Sequence, residues 1–185
     1  MSYQSWRQML VESGGEGTAI TAAAEASCVP AGQKFTLPAN YWYRGGQMMK
    51  VTACGHITSL ITTPGTARYK VKFGSTIIFD GGAVLLDSIA AHTTVGWILQ
   101  VYLQMTTAGT SATLMGHGTW TCEDILGVPA TAPKGVLSAF LPWNTVPVNS
   151  ATFDATATQQ IDLTFTQTVA TGSMTCQSYF VESLN

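Results

Sequence analysis

The sequence predicts an all-β protein, an antiparallel β-sandwich of the jelly-roll kind preceded by an N-terminal arm. Three observations predict it. Apolar and polar residues alternate with a period of two through several stretches, as in strands whose successive side chains point to opposite faces. Turn signals built on Gly, Pro, Ser and Thr separate those stretches, giving about eight to ten strands. Almost nothing in the chain reads as helix, so a sandwich is favoured over a parallel α/β sheet.

Residues 1–33 are read as the arm. Ser5 to Val11 is a short amphipathic piece, and Ser13-Gly14-Gly15-Glu16-Gly17 breaks it. Thr18 to Ser27 is alanine-rich and suits a short helix, a strand or an extended arm. Trp6, Met9 and Leu10 are the candidate anchors, holding the arm to the chain's own body or to a neighbour.

The sandwich domain is assigned to residues 34–185. Phe35-Thr36-Leu37 is its first strand, ended by Pro38. Tyr41-Trp42-Tyr43 follows, an aromatic run that either caps an open end of the sandwich or stacks on sugar rings. Gln47 to Asp87 reads as a β-hairpin and a third short strand. Met49, Val51 and Ala53 alternate with Lys50, Thr52 and Cys54, and Tyr69, Val71 and Phe73 alternate with Lys70 and Lys72. Thr62-Thr63-Pro64-Gly65-Thr66 between them fits a type II turn, with proline at the first corner and glycine at the second. Gly81-Gly82 supplies the next reversal.

Residues 88–96 are read as a loop. Trp97, Leu99, Val101, Leu103 and Met105 then alternate with Gln100, Tyr102 and Gln104, the clearest strand in the chain. After a turn at 107–110, Ser111 to Cys122 places Leu114, Trp120 and Cys122 on one side and Thr113, Met115, His117, Thr119 and Thr121 on the other. Gly116 and Gly118 flank His117 and mark a bulge or a close neighbouring backbone. Glu123 to Asp154 carries Pro129, Pro133, Pro142 and Pro147, which exclude a long central strand or helix. Its apolar centre, Ala139 to Trp143, is either a partner-facing patch, with Phe140 and Trp143 as contacts, or a lid over the core. Ile161, Leu163 and Phe165 form a penultimate strand, Ala170-Thr171-Gly172-Ser173 a reversal, and Met174 to Ser183 the last strand.

Composition narrows the function. Of 185 residues, 46% are apolar and only 10% are charged, against a usual charged share of about 25%. Threonine-rich strands with neutral solvent faces account for this, and so does a surface that meets protein, because interface cores are poor in charge. The net charge of −2 with eight scattered basic residues argues against nucleic acid, which needs clustered cations. Mean hydropathy is positive, yet Pro, Asn, Gln and Gly interrupt every apolar run below the roughly 20 residues of a spanning helix. The first residues lack a hydrophobic signal core, so the expectation is a chain made and kept in the cytosol without a membrane partner.

Cys28, Cys54, Cys122 and Cys176 show no zinc spacing and read as small buried or half-buried thiols, with one or two disulfides left open. No nucleophile elbow, zinc-protease, phosphate-loop or dinucleotide motif occurs. His56, His92 and His117 have no carboxylate at metal-ligand spacing, and Glu123-Asp124 alone is too small a set for calcium. The expectation is a protein with no enzymatic activity and no cofactor.

Four segments carry a resemblance: Leu37-Pro38-Ala39-Asn40-Tyr41, Thr63 to Gly74, Leu114-Met115-Gly116-His117-Gly118 and Val181-Glu182-Ser183-Leu184-Asn185. They resemble small jelly-roll virion proteins of tailed bacteriophages, found among head decoration (cement) proteins and related accessory proteins. The resemblance spans most of residues 35–185 and transfers no site residue. It implies a virion protein on the outer capsid surface, bound to the major capsid protein and to itself as a homotrimer, stabilising the shell. The competing expectation is a jelly-roll tail or fibre protein that stacks Tyr41, Trp42, Tyr43 or Trp143 on host glycans. A hydrolase with an unrecognised site ranks last.

Overall fold

The computed structural model describes residues 7–60, 65–87, 90–126 and 136–184. The strands are β1 (Arg7–Glu12), β2 (Ala26–Ser27), β3 (Thr36–Leu37), β4 (Met48–Ser59), β5 (Thr66–Phe73), β6 (Thr76–Asp80), β7 (Val84–Leu85), β8 (His92–Thr107), β9 (Thr113–Leu126), β10 (Val136–Leu141), β11 (Gln159–Gln167) and β12 (Ser173–Leu184). The six-stranded sheet runs β1-β12-β4-β8-β9-β10, and the smaller sheet β2-β11-β5-β6, with β3 also on β11 and β7 also on β5. Every ladder is antiparallel. The chain is an all-β antiparallel sandwich.

Alternation decides which side chains enter the core. Met49, Val51 and Ala53 of β4, Leu99, Val101, Leu103 and Met105 of β8 and Trp120 of β9 are buried in one core with Tyr69, Val71 and Phe73 of β5 and Ile161, Leu163 and Phe165 of β11. Each fully buried large side chain contributes about 1.5–3 kcal/mol. Tyr69 stands at the centre, its ring 5.0 Å from Trp120, 5.2 Å from Phe165 and 5.4 Å from Trp97. Trp42 closes one end, tilted against Phe73 at 6.5 Å, with Phe153 edge-on behind it. Tyr41 and Trp42 thus act as a cap, and buried Trp42 has no face left for a sugar, while Tyr43 of the same run is exposed.

The pairing differs from the sequence reading in two places. β4 and β5 are not a hairpin: β4 lies between β12 and β8, whereas β5 lies in the other sheet beside β11. β11 and β12 likewise belong to opposite sheets. Both pairs of consecutive strands therefore change sheets, while β8, β9 and β10 add a simple meander. A period of two fixes faces but not partners, so two arms joined by a tight turn read as a hairpin either way. Gly65 does take the expected positive φ, at 67°; Thr62 to Pro64 lie outside the described residues.

Two further segments are more regular than expected. β8 begins at His92 inside the expected loop, and the irregular stretch 123–154 contains the end of β9 and all of β10. The prolines bracket β10 rather than interrupt it. Among the described residues the twelve strands exceed the expected range because β2 and β7, two residues each, show no alternation to read and β10 falls in the stretch read as irregular, whereas β3 matches the strand expected at Phe35–Leu37.

Residues 7–33 lie along the body. β1 is an edge of the larger sheet, Ile20 bridges to Met174, and β2 borders the smaller sheet. Ile20, Cys28 and Val29 are buried in the core. Gly17 permits this crossing: a Cβ there would stand 2.5 Å from the Cys28 carbonyl oxygen.

Candidate functional site

The two outer faces of the sandwich differ in kind. On the smaller sheet the charged side chains neutralise one another. Glu25 bonds both Lys70 and Lys72, the latter at 3.0 Å. Lys34 reaches Asp162 at 2.6 Å, and Arg68 grips Asp80 with two nitrogens, Nε at 2.7 Å from Oδ1. The Lys70 and Lys72 contacts hold the Glu25 carboxyl at a pKa of about 2, well below its usual value. Burial alone raises Asp80, but Arg68 and the Gly82 N–H hold it low.

The larger sheet's outer face is poor in charge across β8, the described side chains of β9 up to Glu123, and Leu137–Leu141 of β10, and Glu123 is the one Asp, Glu, Lys or Arg among those side chains. Its register defines a cross-strand row. Met9 of β1 opposes Glu182 of β12, Glu182 opposes Lys50 of β4, Lys50 opposes Tyr102 of β8, and Tyr102 opposes His117 of β9. Opposed residues share a face, so this row crosses the sheet on its outside. The Lys50 ammonium lies 5.5 Å from the Tyr102 ring centre. Tyr102 and His117 stack at 5.5 Å and 15°, and His117 and Phe140 of β10 at 6.5 Å and 13°. Arg7 secures the other end through Glu182 at 3.2 Å. Ile98, Met115 and Phe140 add exposed apolar surface.

Local sequence explains this order. Gly116 and Gly118 turn inward, where a Cβ would meet the Phe79 ring at 2.5 Å and the Gln100 carbonyl oxygen at 2.3 Å. His117 between them is therefore held outward. On β10, Ala139 and Leu141 are buried, and Ser138 bonds Thr121 at 3.0 Å on the outside, which leaves Phe140 outward as well.

Among the interface candidates, the structure brings Met9 and Phe140 onto this one face, at opposite edges of the sheet. Leu10 and Trp143 pack against the core instead, and the Trp143 N–H donates to the Gly81 carbonyl at 2.8 Å. Trp6 lies outside the described residues. Sequence reasoning missed Tyr102 and His117 as partners. Their alternation places both on a polar face, but only the β8–β9 register shows that they meet.

Other features offer less chemistry. A groove of about 420 Å³ runs between β6 and the segment 142–151, lined by Ile77, Phe79, Val146 and Val148 and ending at the Arg68–Asp80 pair. Tyr43 is exposed, with the Arg44 guanidinium 5.8 Å from its ring centre. Among the described residues no three His, Cys, Asp or Glu side chains are grouped to hold a metal. His56 opposes Gly96 while His117 opposes Tyr102, a separation of roughly 20 Å along β8. Glu123 accepts the Gly96 N–H at 3.1 Å, and His92 Nε2 lies 3.0 Å from buried Asp87. Among the described residues no helix is long and apolar enough to cross a membrane.

No protein-family model matches the chain, and no curated protein does. Among solved structures, it is similar to the CBM2 module of the evolved Dit of Lactobacillus casei BL23 phage J-1, over 99% of this chain and 98% of that one, at a TM-score of 0.38 and 8% identity. At that distance the two chains need share neither a site nor a partner.

Proposed function

We propose that this chain is a structural protein of a tailed-phage virion, a head decoration protein that docks on the capsid shell through the outer face of its larger sheet. The observation that carries the reading is the contrast between the two faces. Charge is spread over the smaller sheet and paired off there, while the β8–β10 part of the larger sheet presents a charge-poor surface with Tyr102, His117 and Phe140, and Met9 lies at the far edge beyond Lys50 and Glu182. Cores of protein interfaces are depleted of charge and enriched in aromatic residues and methionine. The resemblance of the Thr63–Gly74 and terminal segments to cement-type virion proteins supplies the partner, the major capsid protein, and a homotrimeric state.

The test is attachment. Shells lacking the chain are mixed with purified protein, wild type or Tyr102→Ser/Phe140→Ser, and bound protein is measured after sedimentation. Loss of binding with melting lowered by no more than about 4 °C supports the docking face; equal binding by both proteins sinks it. A host-glycan-binding tail or fibre protein is the second reading, favoured only by exposed Tyr43 and the free side of the Phe140 ring. Glycan-array binding lost in Phe140→Ser or Tyr43→Ser, with no shell binding by wild type, would select it.

A further inference from the structure

The two open edges of the larger sheet carry a further inference, independent of whether the partner is a capsid. β1 and β10 are its outermost strands, and among the described residues neither is paired on its far side. An edge strand offers a row of unpaired N–H and C=O groups, and soluble proteins blunt such edges with charge, proline, short strands or a cover. The smaller sheet follows that rule: β2 and β3 are two residues each, and β6 is flanked by the segment 142–151. β10 does not. It reads VLSAFL, with no charge and no proline, and leaves Leu137 and Phe140 each 60% exposed. β1 bears charge only at its ends, Arg7 and Glu12, and exposes Met9 by half.

We propose that β1 of a second copy of this chain pairs antiparallel with β10, joining copies head to tail through one continuous sheet. Strand direction favours this occupant. Five antiparallel ladders separate β1 from β10, so the two run in opposite directions. A second copy added in the same orientation therefore continues the alternation without being turned over. The faces agree too, because Met9 and Phe140 both lie outward. A register that sets the incoming Met9 beside Phe140 places a thioether against a ring and extends the stack through His117 to Tyr102. The incoming Arg7 and Glu12 meet no charge on β10. The bulge between Met9 and Val11 confines the new ladder to a short stretch on one side of it. Such a heterologous contact closes into a ring where the rotation between copies allows, and otherwise grows as a filament. Pairing β10 with its own two-fold copy leaves the β1 edge unused.

Light scattering behind size exclusion tests this on the full chain. Wild type is expected as a species larger than a monomer. Phe140→Lys and Met9→Lys, both at exposed outward positions, are each expected to run as monomers with unchanged circular dichroism. Mixed together they should give a one-to-one pair and nothing larger, since each keeps one intact edge. Leu137→Lys is the second block of β10 should Phe140→Lys misfold. A monomeric wild type, or assembly that survives both substitutions, would overturn the proposal. Assembly lost with Phe140→Lys but kept with Met9→Lys would overturn it in favour of two-fold β10 pairing.

Discussion

Gly116→Ala tests the packing on which the face assignments rest. With a period of two, inward Gly116 and Gly118 require outward His117. A methyl on Gly116 would stand 2.5 Å from Phe79 Cδ2 and 3.1 Å from Leu103 Cδ2. Phe79 comes from β6 across the sandwich, and its ring lines the groove beside that strand. Overpacking a core costs about 1–3 kcal/mol. Alanine recovers about 0.4–1 kcal/mol of this by restricting the unfolded chain. The central values leave a net loss of about 1.3 kcal/mol, read by urea unfolding as a lower midpoint with unchanged slope. Phe79→Leu replaces the rigid ring with a smaller side chain that can turn its methyls away, so the double variant should show a favourable coupling of about 0.5–2 kcal/mol. Gly118→Ala behaves differently. Its methyl would stand 2.3 Å from the Gln100 carbonyl oxygen, a backbone atom of β8, and only a spread ladder relieves that. Phe79→Leu should not rescue it. A neutral Gly116→Ala, or equal rescue of both variants, would refute the inward placement and with it the exposed His117.

Other expectations follow from the same geometry. Leu103→Ala should lower stability by about 2–5 kcal/mol, whereas Tyr102→Ser, directly adjacent but outward, should cost about 0.2–1 kcal/mol; denaturant midpoints distinguish them. Glu25→Gln should cost about 1 kcal/mol at neutral pH, because water screens a surface carboxylate even between two lysines. The Glu25 pKa is depressed on folding, so its contribution is present above its unfolded value of 4.5 and is lost as pH falls through about 2. Melts of wild type and variant should therefore converge across that window, and a gap that widens on acidification would contradict the pairing. Burial pushes the Cys176 thiol up to about 12 and Cys28 up as well, and thiolate is the reactive form. Maleimide at mildly alkaline pH should thus label half-buried Cys54 first and the other cysteines only on unfolding, as peptide mass spectrometry will show.

The faces of this protein are written in its alternation. Met49, Val51 and Ala53, then Leu99, Val101, Leu103 and Met105, and then Ile161, Leu163 and Phe165 all enter the core as the pattern requires. The partners are not. β4 and β5 read as a hairpin because a tight turn joins two alternating arms, and local pattern carries no information on whether such arms pair or face each other across a core. The candidate surface was half legible for the same reason. Phe140 stood out as an aromatic in a charge-free segment and Met9 as an anchor near the start. That both end on one face depends on ladders joining residues far apart in sequence, β1 to β12 and β9 to β10. Leu10 and Trp143 look identical in composition to their neighbours yet turn inward, Leu10 at the bulge that shifts β1 by a residue.

The most direct test of the central claim is oxidative footprinting of this chain in purified virions and free in solution, with its copy number read from the same peptides. The account predicts a copy number comparable with that of the shell subunit. It also predicts that Tyr102 and His117, between the two edges of the sheet, are protected in the particle and labelled in solution, while Tyr43, off that face, is labelled equally in both states. A chain absent from particles, or a larger-sheet face labelled as strongly in virions as in solution, would contradict it.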